Sequence, residues 1–340
     1  MSVVLVTGGA GYVGSHTVKA LAARGDEVVV YDNLSGGHAE AVERIAAGAP
    51  PARVRLVEGD IADAGAVARA IREARPAAVL HFAARLLVGE SVREPIGYYH
   101  ANVTGTMHVL SAMAESGVLR FVFSSTAATF GEPDAVPIDE THPQRPINAY
   151  GETKLAIERA LPHVERAAGI RFAILRYFNA AGADPDGLLG EDHEPEEHLI
   201  PLAIRAANGG PPLTVFGDDY DTPDGTCVRD YVHVSDLADA HLAALARLEA
   251  GGASAAYNLG GGDGVSVRQV IDGVARVAGR EVPHRIGARR AGDPARLVAS
   301  NARARAELDW TPRRSSLAAI LETAWRWHHA HPRGYRSTPR

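Results

Sequence analysis

The sequence of 340 residues predicts an α/β fold in which a doubly wound parallel sheet carries helices on both faces and a smaller lobe follows it. Three observations support this prediction. Short apolar runs alternate with helical stretches through the first half of the chain. The runs are continuously apolar, as expected for strands that are covered on both faces. A glycine-rich turn follows the first run and opens a helix.

The predicted elements follow one another regularly as far as Asn179. Strands are predicted at Val3–Val6, Val28–Tyr31, Val54–Val57, Ala78–His81, Phe121–Ser124 and Phe172–Leu175. Helices between them are predicted at Tyr12–Ala23, Ala64–Glu73, Val103–Glu115 and Tyr150–Ala168. The segment Ala183–Glu197, rich in Gly, Pro, Asp and Glu, predicts a surface loop. Later helices are predicted at Leu199–Ala207, Val234–Glu249, Val267–Ala278 and Leu317–Ala330.

Composition excludes several classes of protein. Hydrophobic residues make up 46% and charged residues 22% of the chain, which is ordinary for a globular enzyme. The formal charge of −6 disfavours nucleic-acid binding, which calls for a basic face. The start, MSVVLVTGG, predicts a strand rather than a signal peptide, and no apolar run is long enough to span a bilayer. The single cysteine, Cys227, excludes an intramolecular disulfide, and we expect a cytoplasmic protein.

The glycine-rich turn, VTGGAGYVGSH at residues 6–16, predicts a dinucleotide site. Gly9, Gly11 and Gly14 satisfy G-x-G-x-x-G, and Gly8, Gly11 and Gly14 equally satisfy G-x-x-G-x-x-G. In either register the missing side chains allow a tight turn and bring backbone N–H groups close to a pyrophosphate. The position of the turn, after a strand and before a helix, makes a ligand-free turn the weaker interpretation. The sheet is therefore predicted to be of the Rossmann type.

Two carboxylates qualify this site. Asp32 ends the second predicted strand, where a carboxylate accepts hydrogen bonds from the adenosine ribose and repels a 2′-phosphate. Asn33 supplies no positive charge to offset that repulsion, so the predicted cofactor is NAD and not NADP. Asp60 has two open interpretations, a contact with the adenine amino group or the N-cap of the next helix.

Tyr150 and Lys154, in the run NAYGETK, are predicted to form an acid/base pair. They stand one helical turn apart, and a nearby cation stabilises a phenolate and lowers its pKa. Ser124 and Thr126 close the fifth predicted strand, at the end of a parallel sheet where ligands bind. A Thr126 hydroxyl there suits a substrate oxygen, although a turn residue bonded to its own backbone is the alternative.

With these residues in place, the chain resembles the extended short-chain dehydrogenase/reductase family, and within it the UDP-glucose 4-epimerase branch. The resemblance covers residues 3–335. The glycine turn and Tyr-x-x-x-Lys are common to the superfamily, whereas RYFN, DGTCVRDY and GDPARLVAS are more specific to the epimerase branch. It implies an NAD-binding domain over residues 1–178. Residues 179–340 would form mainly a UDP-sugar-binding lobe, with some segments returning to the sheet. It also implies a homodimer.

The resemblance assigns roles residue by residue. Tyr150 is the implied acid/base, Lys154 its activator and Thr126 the hydroxyl partner. The residues implied to line NAD are Gly8, Gly11, Tyr12, Val13, Gly14, Asp32, Asn33, Asp60, Ile61, Phe82, Ala83, Ala84, Asn102, Ser124, Tyr150, Lys154 and Tyr177. Those implied to hold the UDP-sugar are Thr126, Asn179, His198, Leu199, Phe216, Arg229, Arg290, Asp293 and Leu297. The residue types agree, because guanidinium groups grip diphosphates and an aromatic ring suits the uracil face.

Three positions depart from the family pattern. Leu86 stands where a lysine is common, beside Arg85; His198 replaces a frequent asparagine; and Leu297 is intermediate in bulk at the residue expected to gate the sugar pocket. Acceptance of N-acetylated UDP-sugars is therefore open, as are UDP-pentose and UDP-uronate substrates. A UDP-glucuronate decarboxylase and a non-catalytic NAD sensor remain alternatives. A 4,6-dehydratase is disfavoured, because alanines rather than an Asp-Glu pair follow Thr126.

The run HEPEEH, residues 193–198, raises the question of a metal. The zinc pattern H-E-x-x-H places its histidines four residues apart on one helix, whereas His193 and His198 are five apart with Pro195 between them. The sequence therefore predicts a solvated acidic loop and no metal site.

Overall fold

The computed structural model describes residues 2–50, 53–290 and 293–336. Its strands are β1 Val3–Thr7, β2 Glu27–Asp32, β3 Val54–Glu58, β4 Ala78–His81, β5 Arg120–Thr126, β6 Arg171–Tyr177, β7 Asn179–Ala181, β8 Leu213–Phe216, β9 Val228–Arg229, β10 Tyr231–His233, β11 Ala255–Leu259, β12 Val265–Ser266, β13 His284–Gly287 and β14 Arg296–Leu297. Its α-helices are α1 Tyr12–Arg24, α2 Ala39–Gly48, α3 Ala64–Ala74, α4 Val88–Arg93, α5 Pro95–Tyr98, α6 Gly105–Glu115, α7 Ala149–Ala168, α8 Leu199–Ala207, α9 Val234–Glu249, α10 Val267–Ala278, α11 Ala302–Leu308 and α12 Leu317–Ala330. A π-helical turn, Tyr99–Thr104, joins α5 to α6.

The central sheet has seven parallel strands in the order β11-β6-β5-β4-β1-β2-β3. The predicted doubly wound fold is confirmed. Because β1 pairs with both β2 and β4, the strand order reverses beside β1. Such a switch point leaves a crevice at the carboxyl ends of the strands, and ligands of open α/β sheets bind there.

The alternation of side chains along β1 shows how the two layers form. Val4 and Val6 join a buried cluster with α1 and α9 on one face, whereas Leu5 joins the cluster on the opposite face with α3, α6 and α7. These three residues are at most 1% exposed. Burial of both faces explains why the predicted strands are continuously apolar.

The second part of the chain contributes both to the sheet and to a separate layer. β11 extends the central sheet beside β6. The helices α8, α10 and α12 bury a third apolar cluster, and small sheets β7–β10, β8–β13 and β12–β9–β14 lie beside it. Periodicity does not reveal these strands because they have only two to five residues each. In the described part of the chain, no helix is long and apolar enough to cross a membrane.

The predicted surface loop at 183–197 is wrong for most of its length. Asp184, Leu189 and Glu191 are at most 5% exposed. The indole N–H of Trp327 in α12 donates to the carbonyl of Glu191 at 3.2 Å, and the Tyr335 hydroxyl contacts Gly190. These backbone contacts and the ion pair of Asp184 with Lys19 hold the loop against the rest of the fold, while Asp186, Glu194 and Glu197 are exposed.

Candidate active site

The glycine turn lies at the switch point and is fixed by close backbone approach. Gly8 has a φ of 72°, and a Cβ there would lie 2.4 Å from the amide nitrogen of Ala83. A Cβ on Gly14 would lie 2.2 Å from the carbonyl oxygen of Gly8. A Cβ on Gly11 would reach nothing closer than 3.4 Å. Packing therefore demands glycine at residues 8 and 14, while Gly11 leaves backbone open, as a bound pyrophosphate requires.

The first residues of α1 connect the turn to the second part of the chain. The hydroxyl of Tyr12 donates to the carbonyl oxygen of Gly182 at 2.5 Å. Val13 packs against the core cluster on the α1 side of the sheet. The helix N-terminus is thus held in a fixed orientation toward the crevice.

Asp32 is placed by the turn itself. Its carboxylate accepts from the amide nitrogens of Ala10 at 2.9 Å and Leu34 at 2.8 Å. Burial raises the pKa of Asp32, and these two donors partly offset the effect. Each carboxylate oxygen has a second lone pair, so the group can still accept from a ribose hydroxyl.

Asp60 is not a helix N-cap, so that alternative is wrong. The side chain of Asp63 caps α3 by accepting from Ala66 N at 2.9 Å. Asp60 is exposed, and its carboxylate accepts from Asn33 Nδ2 and from the amide of Ala62, both at 2.8 Å. The nearby Ile61 is buried, at 7% exposed. Asn33 and Asp60 therefore form one polar rim at the ends of β2 and β3.

The segment after β4 packs on the glycine turn and is held by Asn102. Amides of Phe82 and Ala83 both donate to the carbonyl of Thr7, at 2.8 and 3.1 Å. Asn102, 1% exposed, accepts from the amide of Arg85 at 2.8 Å and donates to Thr153 Oγ1 at 3.0 Å. Asn102 thereby ties the segment that includes Ala84 to the helix α7.

The Leu86 departure is not compensated by its neighbour. The Arg85 guanidinium pairs with Glu90 at 2.7 Å and with Glu94 at 2.9 Å. It also lies 4.8 Å from the ring of Tyr98. Leu86 itself is 43% exposed. The Arg85 guanidinium is therefore already paired with Glu90 and Glu94 and does not take the place of the lysine that is missing at Leu86.

The predicted acid/base pair comes together with both strand-end hydroxyls. Asn148 caps α7 and places Tyr150 in its first turn, with Lys154 one turn later. The ammonium of Lys154 donates to the carbonyl oxygen of Ser124 at 2.9 Å. The hydroxyl of Thr126 is hydrogen-bonded with the phenol of Tyr150. The Tyr177 hydroxyl, at the end of β6, is in turn hydrogen-bonded with Ser124 Oγ.

Desolvation dominates the electrostatics of the pair. It raises the pKa of Tyr150 to about 12, and the Thr126 hydrogen bond only partly offsets this. It lowers the pKa of Lys154 to about 7, partly offset by the carboxylate of Glu158. The sequence-based expectation of a net lowered tyrosine pKa is therefore wrong for the protein alone. Additional positive charge beside Tyr150 is needed to make it a base near neutral pH.

A buried ion pair supports the catalytic helix, and the sequence analysis missed it. Glu158 and Arg176 have side chains 4% and 7% exposed and lie 2.7 Å apart. Ser125 Oγ donates to Glu158 at 2.5 Å and Gln144 Nε2 donates to it at 2.8 Å. Spacing relates Glu158 only to Lys154, four residues before it on the same helix face, and gives no signal for the pair with Arg176.

Most of the predicted UDP-sugar residues gather at the small sheets of the second lobe. The Arg290 guanidinium lies 3.9 Å from the centre of the Phe216 ring. Arg229 forms an ion pair with Asp293. Leu297 is the register partner of Arg229 and packs on the cluster that contains Ala127, directly after Thr126.

Three further residues of the predicted set lie at the starts of elements. Asn179 begins β7, and its amide donates to the Asp230 carbonyl at 2.9 Å. His198 and Leu199 lie at the N-terminus of α8, where His198 Nδ1 contacts Glu191 and Glu196.

The match to known proteins agrees with this geometry. Residues 4–260 match the model of the NAD dependent epimerase/dehydratase family. The chain belongs to this family. It is 53% identical to a UDP-glucose 4-epimerase of Rhizobium meliloti over 96% of each chain. The solved UDP-glucose 4-epimerase of Brucella ovis in complex with NAD is 48% identical, with a TM-score of 0.91, and covers 96% of this chain and 98% of that one.

A second solved relative carries the other predicted ligand. The UDP-glucose 4-epimerase of Bifidobacterium longum in complex with NAD⁺ and UDP is 38% identical, with a TM-score of 0.91. The alignment covers 98% of this chain and 100% of that one. The family is NAD-dependent, and the residues present fit that cofactor. The backbone at Gly11 is open to a pyrophosphate, and the Asp32 carboxylate can still accept a hydrogen bond from a ribose hydroxyl. Among the described residues, no positive charge stabilises the phenolate of Tyr150, and a nicotinamide ring would supply one.

Proposed function

We propose that the protein is an NAD-dependent UDP-glucose 4-epimerase, an isomerase that interconverts UDP-galactose and UDP-glucose. One observation carries the proposal: the Thr126 hydroxyl at the carboxyl end of β5 interacts with the phenol of Tyr150, and Lys154 donates to the carbonyl of Ser124 on the same strand end. Relatives of about half-identical sequence over nearly the whole chain bear that name. NAD is the proposed resident cofactor.

Tyr150 moves the proton in the proposed reaction. It takes the proton of the sugar C4 hydroxyl while the C4 hydrogen leaves as hydride, which gives a 4-keto sugar. When bound, NAD would supply a positive nicotinamide ring that counters the rise in the Tyr150 pKa caused by burial, and would accept the hydride and return it to the opposite face. Lys154 is the proposed activator; burial lowers its pKa to about 7, and it donates to the Ser124 carbonyl at the end of β5. Thr126 orients the reacting oxygen and shares its proton.

Residues 179–340 are proposed to anchor the UDP part and leave the sugar free to turn. Phe216 is proposed to offer its ring to uracil, and Arg229 and Arg290 are the proposed partners of the diphosphate. Leu297 packs on the cluster that contains Ala127, directly after Thr126, and is the proposed border of the sugar pocket. Anchoring at UDP concentrates binding energy away from the carbon that must present both faces. Residues 1–178 are proposed to form the NAD-binding domain.

Two other activities would differ from this one either in the sugar that is bound or in the residues that follow Thr126. A 4-epimerase of UDP-N-acetylhexosamine, UDP-pentose or UDP-uronate sugars would use the same Tyr150 and differ only at the sugar pocket near Leu297. A dehydratase needs an acid and a base after the threonine, where this chain has Ala127 and Ala128. Turnover of UDP-galactose compared with these substrates identifies the preferred sugar.

The Tyr150→Phe variant tests the proposal. Removal of the acid/base should lower kcat by about 10²–10⁴-fold for UDP-galactose, while the NAD content of the purified protein stays unchanged. Tyr99→Phe, at a residue 43% exposed, is the matched control and should keep full activity. Near-normal turnover by Tyr150→Phe would remove the acid/base assignment. Wild-type protein that holds NAD but turns over none of the UDP-sugars would be the sensor instead.

We also propose a homodimer. An exposed apolar face formed by Val88, Val92, Ile96 and Tyr99 supports it, with exposed fractions of 43–75%. It lies on α4, α5 and the π-helical turn, which pack beside α7. Ile96→Glu should convert a dimer into a monomer in sedimentation velocity. A wild-type monomer at micromolar concentration would contradict the proposal.

A cytoplasmic location is proposed as well. The single cysteine, Cys227, supports it because the fold calls for no intramolecular disulfide.

A further inference from the structure

Four side chains of the loop before α8 converge in a way that the sequence spacing did not suggest. Glu191, His193, Glu196 and His198 each offer an atom to a group whose members all lie within 4.8 Å of one another. His198 Nδ1 lies 2.9 Å from Glu191 and 2.8 Å from Glu196. His193 Nδ1 lies 3.3 Å from Glu191 and 3.8 Å from Glu196.

Three of the four side chains face inward, whereas the side chain of His198 is 39% exposed. The side chains of Glu191, Glu196 and His193 are 5%, 11% and 14% exposed. His193 Nδ1 is closed off from solvent and forms no hydrogen bond with any described residue, although a carboxylate oxygen lies 3.3 Å away. A buried nitrogen in that position needs a partner. The expectation of a solvated acidic loop is wrong for these residues, while Glu194 and Glu197 are exposed as expected.

The group also lies where three parts of the fold meet. The ring of Tyr12, at the start of α1, stands edge-on to His193 with centroids 6.1 Å apart. Trp327 of α12 donates to the carbonyl of Glu191. His198 directly precedes α8. An occupant of this group would therefore couple the glycine-turn helix to two helices of the second lobe.

The contacts between histidine nitrogens and carboxylate oxygens suit a small divalent ion, with Glu196 contacting His198 through Oε1 and His193 through Oε2. Zn²⁺ binds imidazole nitrogen and carboxylate oxygen at about 2.0–2.2 Å, and a tetrahedron with such bonds has edges of about 3.4 Å. The four contacts between histidine nitrogen and carboxylate oxygen span 2.8 to 3.8 Å, close to those edges. A zinc site does not need the helical H-E-x-x-H pattern here, because the folded loop brings the two histidines and the two glutamates together. We propose that Glu191, His193, Glu196 and His198 form a structural Zn²⁺ site.

Charge balance agrees with this assignment. Two carboxylates are neutral overall with two imidazolium ions, and equally neutral with one divalent ion and two neutral imidazoles. The ion can thus replace two protons without leaving a buried net charge.

The site adjoins the proposed UDP-sugar site, because His198 is also among the residues implied to hold the UDP-sugar, but it contains none of the reacting groups Tyr150, Lys154 and Thr126. All four ligands come from one loop, and four protein ligands leave no open position of the kind that catalytic zinc keeps. The expected contribution is to stability: Zn²⁺ binds the folded loop and shifts the unfolding equilibrium by mass action. Activity of the NAD-loaded enzyme is not needed to detect it.

Cobalt titration tests the proposal on tag-free, full-length protein that has been stripped with chelator and dialysed. Co²⁺ should bind with one ion per chain and give the intense visible absorption of four-coordinate cobalt, and Zn²⁺ should displace it. Zn²⁺ should also raise the Tm of the stripped protein. Absence of that spectrum in the wild type, or a weak octahedral one, would overturn the proposal and leave protons as the occupants of the group.

Variants assign the ion to these ligands. His193→Gln should weaken Co²⁺ affinity at least ~10-fold, since loss of outer-shell partners alone costs that much. His329→Gln, an exposed histidine of α12, is the matched control and should leave affinity unchanged. If His193→Gln does not fold, Glu196→Gln takes its place, because a carboxamide preserves the side-chain shape. Equal affinity in wild type and in the folded ligand variant would show that the ion binds elsewhere and would refute the site.

Discussion

The glycine turn allows the cost of folding to be separated from the cost of cofactor binding with single methyl groups. At Gly14 a Cβ would lie 2.2 Å from the Gly8 carbonyl oxygen, about 1.2 Å short of the 3.4 Å at which ordinary contact begins. The nearby atoms are backbone of the turn, so neither partner can rotate away. Overpacking of this kind costs about 1–3 kcal/mol. Gly14→Ala should therefore lower both the free energy of unfolding and the affinity for NAD.

Gly11→Ala should behave differently. Its Cβ would lie 3.4 Å from the nearest atom, and φ is −79°. Alanine at an N-cap lowers the free energy of unfolding by up to about 1 kcal/mol relative to glycine. Alanine also reduces the conformational freedom of the unfolded chain, which raises the free energy of unfolding by about 0.4–1 kcal/mol. Unfolding of the NAD-free protein should change by less than about 1 kcal/mol, whereas NAD affinity should fall because the methyl group occupies the proposed path of the pyrophosphate.

The assay combines urea unfolding of NAD-free protein with calorimetric titration of NAD. Gly48→Ala is the control, because a Cβ at the end of α2 meets open space among the described residues. It should alter neither NAD affinity nor, beyond a small gain in helix propensity, stability. If Gly11→Ala bound NAD as tightly as the wild type, the pyrophosphate could not approach this turn as proposed.

Three further predictions concern charge. Glu158→Gln should lower the free energy of unfolding in urea by about 3 kcal/mol, because it leaves a buried guanidinium unpaired. The control Glu322→Gln, in an exposed ion pair on α12, should lower it by under ~1 kcal/mol. Equal effects of the two variants would refute the support role of Glu158. Arg290→Gln should raise the KM for UDP-galactose about 10-fold or more with NAD content unchanged, and Arg285→Gln should not; an unchanged KM would remove the diphosphate assignment. Burial lowers the Lys154 pKa to about 7, below its unfolded value, so between pH 7 and 9 the unfolded chain binds more protons and stability rises, by up to about 2 kcal/mol. Lys154→Met should lose that rise in NAD-free protein, and an identical pH profile in wild type and variant would contradict it.

Local patterns were sufficient to predict the sheet and the acid/base pair. The bounds of α8, α9, α10 and α12 agree with the predicted helices because each carries an apolar face at helical spacing. Tyr150, Lys154 and Thr126 were predictable because a strand end and one helix turn suffice to bring them together.

Contacts between distant segments were not predictable from the sequence. Glu158 meets Arg176 only because α7 packs beside β6, and no local spacing joins the two. The loop at 183–197 has the composition of a surface loop, yet backbone groups of Gly190 and Glu191 bond to Tyr335 and Trp327 far along the chain. The net pKa of Tyr150 also escaped prediction, because desolvation depends on everything that surrounds the phenol.

In the proposed reaction, the C4 hydrogen leaves one bound sugar as hydride and returns to the same sugar. Wild-type protein should be incubated with UDP-galactose in D₂O, without added NAD, and the sugar followed by proton NMR. We expect UDP-glucose to form up to an equilibrium ratio with protium retained at C4, because the hydrogen is transferred as hydride and does not exchange with solvent. Deuterium at C4, or no conversion of UDP-galactose by protein that contains NAD, would contradict it.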